Sequence, residues 1–300
     1  MLRCRKMVAS KKIWTILDIL QWSKPFLQEK GSVNPKGEAE LLLMAVLGLE
    51  RMDLYVQFDR PLSSNEKNLY RSYILRRAKQ EPVQQITGFA YFMGLRFEVT
   101  PDVLIPRFDT ETMIETVVKR YNVSGCSGRE ILLLDVGTGS GAIAVSLAKL
   151  LPELKVMALD IDPKALRVAN KNALINDVAE RIEFVNSDLL SELIHRKFDQ
   201  EVWLVSNPPY ISEAEYYQLD AEVRDFEPKQ ALLAKENGLE FYRKIISQSS
   251  IFGESLGALF FEVGYNQSKD VSQMLSDRFG SVNVAKDLGG IERVVYTCDC

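Results

Sequence analysis

Apolar residues return at helical spacing from Ile13 to about Glu81: Ile13, Ile16, Leu17 and Leu20 first, then Leu42, Val46 and Leu49, then Leu69, Tyr73 and Ile74. That period predicts a small helical region whose helices each turn one stripe inward. Gly48 is positioned to stop the second helix, because glycine adopts the left-handed backbone that follows many helix ends without a steric cost. Ser63 and Glu66 have the spacing of a capping box, which predicts that the last helix begins there. Its basic residues Arg71, Arg76, Arg77 and Lys79 read as a solvated face, with contact to an acidic partner as the alternative. Pro82 ends the region, and from Gln84 to Ile105 aromatic and β-branched residues around Gly88, Gly94 and Pro101 predict a short hairpin.

Beyond Asp109, read as the N-cap of a helix carrying Ile114, Val117 and Val118, the pattern changes. Short apolar runs at Ile131–Val136, Val156–Leu159, Ile182–Val185, Val202–Val205 and Ala258–Val263 alternate with helical stretches after Gly141, Pro163, Gly238 and Asn266. Continuous apolar runs of this length are strands buried on both faces, and their alternation with helices implies parallel βαβ units. The expected fold is α/β: a doubly wound, Rossmann-like sheet with a small helical N-terminal domain joined to it by a β-hairpin. The expected boundaries are residues 1–83 for the helical domain, 84–108 for the hairpin linker and 109–300 for the catalytic domain.

Composition narrows the function. The chain has 300 residues, 46% of them hydrophobic and 26% charged, as in a folded protein with a sizeable core. A net charge of -4 argues against affinity gained mainly by neutralising nucleic-acid phosphates, so direct nucleic-acid binding is not expected. The four cysteines, Cys4, Cys126, Cys298 and Cys300, match no zinc or disulfide spacing and read as free thiols of a reducing compartment. No apolar run is long enough to span a bilayer, which gives a soluble, cytoplasmic expectation without a membrane partner. The basic, acid-free stretch before Asp18 reads as a solvated start, with an organellar transit segment as the alternative.

Candidate chemistry begins at Leu134-Asp135-Val136-Gly137-Thr138-Gly139-Ser140-Gly141-Ala142, a strand entering a glycine-rich turn and then a helix. Glycines let the turn close and let a ligand approach the backbone, while the helix start offers free N–H groups. Nucleotide, flavin and S-adenosylmethionine binders all use such a turn. The spacing here is G-x-G-x-G, unlike the dinucleotide G-x-G-x-x-G, and no Lys-Ser or Lys-Thr pair follows as in a nucleotide-triphosphate loop. Asp160, at the end of the next strand, can accept both hydrogen bonds of a ribose diol, whereas Asp162 reads as the cap of the helix starting at Pro163. Asp188 and Leu189 follow the third strand, where they can receive an adenine amino group and ring. All lie on the carboxyl edge of the sheet, and together they point to S-adenosyl-L-methionine as cofactor.

The fourth strand ends in Ser206-Asn207-Pro208-Pro209-Tyr210. Pro208 leaves a carbonyl with no neighbouring N–H, so that carbonyl and the Asn207 side-chain oxygen can both accept from one NH2 group. Tyr210 offers an aromatic face for a planar amide or base. A merely proline-stiffened loop is the competing reading. The lone histidine, His195, sits in a polar stretch and reads as a surface residue.

With these segments in view, the sequence resembles the protein-(glutamine-N5) methyltransferases that modify peptide-chain release factors, the HemK or PrmC family. The resemblance is carried by Gly94–Phe97, Leu104–Arg107, Asp135–Gly141, Asn207–Tyr210, Phe226-Glu227-Pro228 with Gly238-Leu239, Glu262–Tyr265 and Asp287–Val294, and it covers the chain from about Pro82 to its end. Where the family reads Pro-Arg-Pro-Glu-Thr-Glu, this chain has Pro106-Arg107-Phe108-Asp109-Thr110-Glu111. The resemblance implies methyl transfer to the glutamine of the Gly-Gly-Gln loop of class-1 release factors, modulating translation termination, with the helical domain helping to recognise that partner. It also implies that Asn207, Pro208 and Tyr210 act at the reacting centre, that Pro209 completes the substrate site, and that Asn207 also touches the cofactor.

Three rivals follow from the residues: a glutamine methyltransferase for a ribosomal protein, an adenine or guanine amino methyltransferase for nucleic acid, and a ribosome-associated scaffold without catalysis. The acidic balance weighs against the second. The intact glycines, Asp160 and Asn-Pro-Pro-Tyr weigh against the third.

Overall fold

The computed structural model describes residues 13–123 and 130–298, and the chain divides into two units, Met1–Thr87 and Gly88–Cys300. Cys4, Cys126, Cys300 and the basic start up to Lys12 lie outside the described residues.

The first unit is helical. It contains α1 (Ile16–Glu29), α2 (Pro35–Leu47), α3 (Arg51–Val56), α4 (Ser64–Arg77) and α5 (Val83–Thr87). Ile16, Leu27, Leu42, Leu43, Tyr70 and Ile74 are wholly buried at its centre. The Tyr70 hydroxyl donates to the Ala39 carbonyl at 3.1 Å and lies 2.8 Å from Ser23 Oγ, which ties α4 to α2 and α1. Gly48 follows α2 with φ 63°, as its position predicts. The expected capping box at α4 is present: Ser63 Oγ accepts from Glu66 N at 3.2 Å, and Glu66 accepts from Ser63 N at 2.7 Å. Ser63→Ala is therefore expected to cost about 1 kcal/mol of stability in the chemical unfolding of this unit, and an unchanged midpoint would contradict the cap.

The solvated basic face needs a correction. Arg71 and Lys79 are exposed, but Arg77 is buried, with Nε and Nη2 donating to Glu38 at 2.8 and 2.9 Å, and half-buried Arg76 donates to Glu81 at 2.8 Å. Helical periodicity reports where side chains point, and it is blind to a carboxylate on another helix that lets a guanidinium be buried.

In the second unit a hairpin of β1 (Phe89–Phe92) and β2 (Leu95–Glu98) turns at Met93 and Gly94, both at positive φ, the geometry that two-residue hairpin turns require. It lies within the stretch expected as a linker, residues 84–108, whose first residues instead complete α5. Helix α6 (Glu111–Val123) precedes the sheet. Then β3 (Ile131–Val136), α7 (Ala142–Leu150), β4 (Lys155–Asp160), α8 (Pro163–Ile175), β5 (Ile182–Asn186) and β6 (Glu201–Ser206) follow. Two short helices, α9 (Glu213–Tyr216) and α10 (Ala221–Arg224), lead to α11 (Glu240–Gln248), β7 (Leu256–Glu262) and α12 (Ser268–Ser276). The last two strands are β8 (Val282–Lys286) and β9 (Glu292–Cys298).

The strand order is β5-β4-β3-β6-β7-β9-β8, parallel except that β9 runs antiparallel to both its neighbours. This is the expected doubly wound α/β sheet. Within β3, Ile131 and Leu133 pack into one core with α6, α7 and α8, while Leu132, Leu134 and Val136 pack into a second with α11 and α12. Burial on both faces is why every residue of β3 is apolar except Asp135. The chain winds outward from β3 through β4 to β5, then returns to β6 on the other side. That reversal leaves a crevice between the carboxyl ends of β3 and β6, where open α/β sheets take ligands. Among the described residues no helix is long and apolar enough to cross a membrane, and no cluster of three or more His, Cys, Asp or Glu is arranged to hold a metal ion.

Candidate active site

A cavity of about 300 Å³ opens at this crevice, lined by the glycine turn, the end of β4, the loop after β5, the loop after β6 and the 102–107 segment. The turn is built by its glycines. Gly137, Gly139 and Gly141 have φ of 76°, 55° and 79°, a region costly for other L-residues. An added Cβ at Gly141 would also lie 3.0 Å from Ala169 Cβ, whereas at Gly137 and Gly139 it would enter open space. The N–H groups of Gly137 and Thr138 both donate to the Leu159 carbonyl at 2.9 Å, fastening the turn to β4.

Asp160 is locked by the same turn: Gly139 N donates to Oδ2 at 2.8 Å and Asp162 N to Oδ1 at 2.9 Å. Each oxygen keeps a lone pair, and the carboxylate lines the cavity, as the ribose reading requires. Asp162 caps α8 through Lys164 N at 2.8 Å, as expected. Asp188 is exposed and Leu189 half-buried at the same cavity, with Leu189 at φ 53°. Thr138 and Ser140 also line it, yet the Thr138 hydroxyl is turned inward and donates to Asp135 at 2.7 Å.

The loop after β6 brings Asn207, Pro208 and Pro209 to the cavity wall. Ser206 Oγ donates to the Val136 carbonyl at 2.7 Å, which holds the loop's entry against β3. The Pro208 carbonyl meets no backbone donor among the described residues. Tyr210 does not line this cavity; it packs against the second core, and its carbonyl accepts from Gln267 Nε2 at 2.9 Å. Gln267 Oε1 accepts in turn from Gly264 N at 3.1 Å. A Cβ at Gly238, which has φ 86°, would fall 2.2 Å from the Tyr210 carbonyl oxygen. Gly238→Ala is expected to displace the loop and lower turnover about tenfold while cofactor affinity changes little, because backbone atoms cannot yield as a flexible side chain can. Parallel kinetics and calorimetry check this, and full turnover would contradict it.

Several supports of the site give no local signal in the sequence. Buried Glu227 forms an ion pair with Arg107 and accepts from Ile105 N at 3.2 Å, which holds the 102–107 wall in place. Asp109 is not an N-cap. It lies inside a 3-10 turn, Phe108–Thr110, and pairs with Arg293 at 2.8 Å, while Arg293 also donates to Asp287 at 2.9 Å. Phe108 is 80% exposed, and its neighbours Asp109 and buried Thr110 anchor this turn without the family's proline.

Burial lifts two carboxyls here to about 7. Asp135 accepts from Thr138 Oγ1 and from Ala144 N at 3.1 Å, and these bonds lower its pKa less than burial raises it. Glu262 is raised by burial and by Asp109, against opposing contributions from Thr110, Arg293 and Asn207. An unfolded carboxyl ionises at about pH 4, so between about pH 4 and 7 these two groups hold more protons in the native state than in the unfolded chain, and their contribution to stability falls as pH rises through that window. Unfolding free energies are expected to be larger near the bottom of that window than above it, with a smaller difference in Asp135→Asn. A pH-independent difference between parent and variant would refute this.

A family profile described as the PrmC N-terminal domain matches residues 18–88, and one described as the methyltransferase small domain matches residues 110–226. The release factor glutamine methyltransferase of Geobacter sulfurreducens is 41% identical over 96% of this chain and 98% of its own length. That of Chlorobaculum tepidum is 40% identical over 94% and 97%. The chain belongs to the release factor glutamine methyltransferase family. Among solved structures, the human Mettl16 catalytic domain with a MAT2A 3′UTR hairpin shares the fold, with TM-score 0.54, 16% identity and coverage of 80% and 84%.

A release factor glutamine methyltransferase needs room for S-adenosylmethionine, and the cavity fits it. Gly137 and Gly139 leave open space beside the turn, and Asp160 is held as a two-oxygen acceptor for a diol. A positively charged sulfonium also suits a cavity bordered by Asp160, Asp162 and Asp188.

Proposed function

We propose that this chain methylates the side-chain amide nitrogen of the glutamine in the Gly-Gly-Gln loop of class-1 release factors, in the cytoplasm, with S-adenosylmethionine as donor. The observation that carries the reading is that Asn207 and Pro208 share one cavity with Asp160 and the glycine turn. S-adenosylmethionine, when bound, supplies an electrophilic methyl group on a sulfonium.

The residues of the chain divide the remaining work. Asp160 accepts from the ribose hydroxyls, Asp188 and Leu189 take the adenine, and Gly137, Thr138, Gly139, Ser140 and Gly141 let the cofactor approach the backbone. Asn207 Oδ1 and the Pro208 carbonyl accept the two N–H groups of the substrate amide, and Pro209 keeps that carbonyl stiff and free of a local donor. Tyr210, next along the loop and beyond the cofactor cavity, is assigned the aromatic face for the planar amide.

An amide nitrogen is a poor nucleophile because its lone pair is delocalised into the carbonyl. Two preorganised acceptors orient the lone pair out of the amide plane and stabilise the positive charge that grows on the N–H groups as nitrogen reacts. No strong general base is needed beforehand, and exposed His195 supplies none. The helical unit is assigned to recognition of the release factor. Labelled methyl groups are expected to enter a purified release factor and to fail to enter its variant with the loop glutamine changed to alanine. Equal labelling of both would refute the assignment.

A further inference from the structure

Asn207 has two chemically different ends on one planar amide, and only its oxygen can accept from a substrate N–H. Something must hold that plane the right way round, since a rotation of half a turn about the last side-chain bond would present a donor to a donor. Two groups that the mechanism above leaves unused face this amide.

Asn207 Nδ2 donates to Thr110 Oγ1 at 3.2 Å. Thr110 is 4% exposed, and its hydroxyl, having accepted from Asn207, keeps its own proton for another acceptor. The carboxyl placed to receive it is that of Glu262, the last residue of β7, which lies near enough to Thr110 and Asn207 for both to hold its pKa down against burial. Glu262 is 2% exposed, and its second oxygen, Oε2, is buried without a hydrogen-bond partner. A buried carboxyl left half-satisfied costs stability, so its place here is not explained by what it contributes to the fold. The amide nitrogen of Asn207 thus faces the Thr110 hydroxyl and a buried carboxyl beside it, and rotating the amide would turn Oδ1 toward that carboxyl.

We propose that Thr110 and Glu262 act as a positioning pair, fixing the Asn207 amide with its nitrogen turned inward so that its oxygen is presented to the substrate nitrogen. The inference rests on the reading of Asn207 as the acceptor of the substrate amide and deepens it. Thr110 borders the cavity and Glu262 lies behind it; both are assigned their effect through Asn207. In this role Glu262 serves as an acceptor, so a glutamine carbonyl can take its place with the NH2 where Oε2 now lies. A thioether or a methyl group cannot.

The test is steady-state and single-turnover kinetics on the full chain, with a purified class-1 release factor and with cofactor affinity measured separately. Glu262→Met and Thr110→Val, which keep volume and remove the polar atom, are expected to lower kcat about tenfold or more. KM for the release factor and cofactor affinity are expected to stay within about threefold, the pattern of an interaction that matters mainly in the transition state. Glu262→Gln and Thr110→Ser are expected to recover most of the lost rate. Melting temperatures identify any variant that fails to fold, and the Thr110 variants decide the matter if Glu262→Met is one of them. Parental kcat in Glu262→Met and Thr110→Val, alongside a slow Asn207→Ala enzyme, would overturn the positioning pair and leave the amide site standing. Glu262→Gln as slow as Glu262→Met would overturn the acceptor role. Parental kcat in Asn207→Ala would remove both readings.

Discussion

Replacing Asn207 by alanine is expected to lower turnover by a factor on the order of 100 or more, the usual consequence of losing one preorganised polar partner at a reacting centre. Asn207 stands on the loop after β6, whose entry is pinned by Ser206 to Val136, and it borders the cavity that also contains Asp160. On the proposed assignment, losing the amide oxygen leaves the substrate nitrogen only the Pro208 carbonyl as acceptor and removes the second constraint on its orientation. Cofactor affinity is expected to change much less, because the proposed ribose and adenine positions are on β4 and beyond β5. Single-turnover rates at saturating cofactor measure the effect, and a parental rate would remove the ground for reading this cavity as an amide site. Tyr210→Phe is expected to be milder than Tyr210→Ala, since the ring face and not the hydroxyl is assigned the contact.

Asp160→Ala is expected to weaken cofactor binding by roughly 1 to 3 kcal/mol, because two hydroxyls lose a charged acceptor. The variant also strands the N–H groups of Gly139 and Asp162, which now donate to the carboxylate at 2.8 and 2.9 Å, so the glycine turn loses a tether as well as the ligand losing a partner. Burial raises the Asp160 pKa, and those same backbone bonds oppose that rise. Calorimetric titration with S-adenosylmethionine gives the number directly. Unchanged affinity in a folded variant would place the ribose elsewhere.

The parts of the fold legible in the sequence are those whose signal is local. Strands β3, β4, β6 and β7 stand out as apolar runs because both faces of the sheet are covered there, whereas β5, expected to be buried likewise, is an edge strand with exposed Glu183 and Asn186; helix ends are marked by Gly48, Ser63 and Asp162. Strands β8 and β9 do not stand out in the same way: β8 is an edge strand of half-buried and exposed residues, with no apolar run to announce it. The short α3 and α5 span 6 and 5 residues, too few for a helical period to show. At the site, glycines and prolines are readable because they constrain their own backbone. Glu227, Arg293, Gln267 and Glu262 are not, since each acts through a partner distant in the chain; Arg107 and Glu227 are 120 positions apart. Most of these residues fall in segments that carry the family resemblance, and the structure gives those segments a physical task. Phe226-Glu227-Pro228 buttresses the Leu104–Arg107 wall, and Asp287–Val294 returns Arg293 to Asp109.

The proposed reaction ends on one nitrogen atom, and mass spectrometry of a class-1 release factor after incubation with this chain and labelled S-adenosylmethionine reads that atom's modification. The expected product carries a single methyl group on the side chain of the glutamine in the Gly-Gly-Gln loop, absent when Asn207→Ala replaces the parental enzyme for the same time. An unmodified release factor, with label appearing instead on a ribosomal-protein glutamine or on an adenine or guanine of nucleic acid, would contradict it.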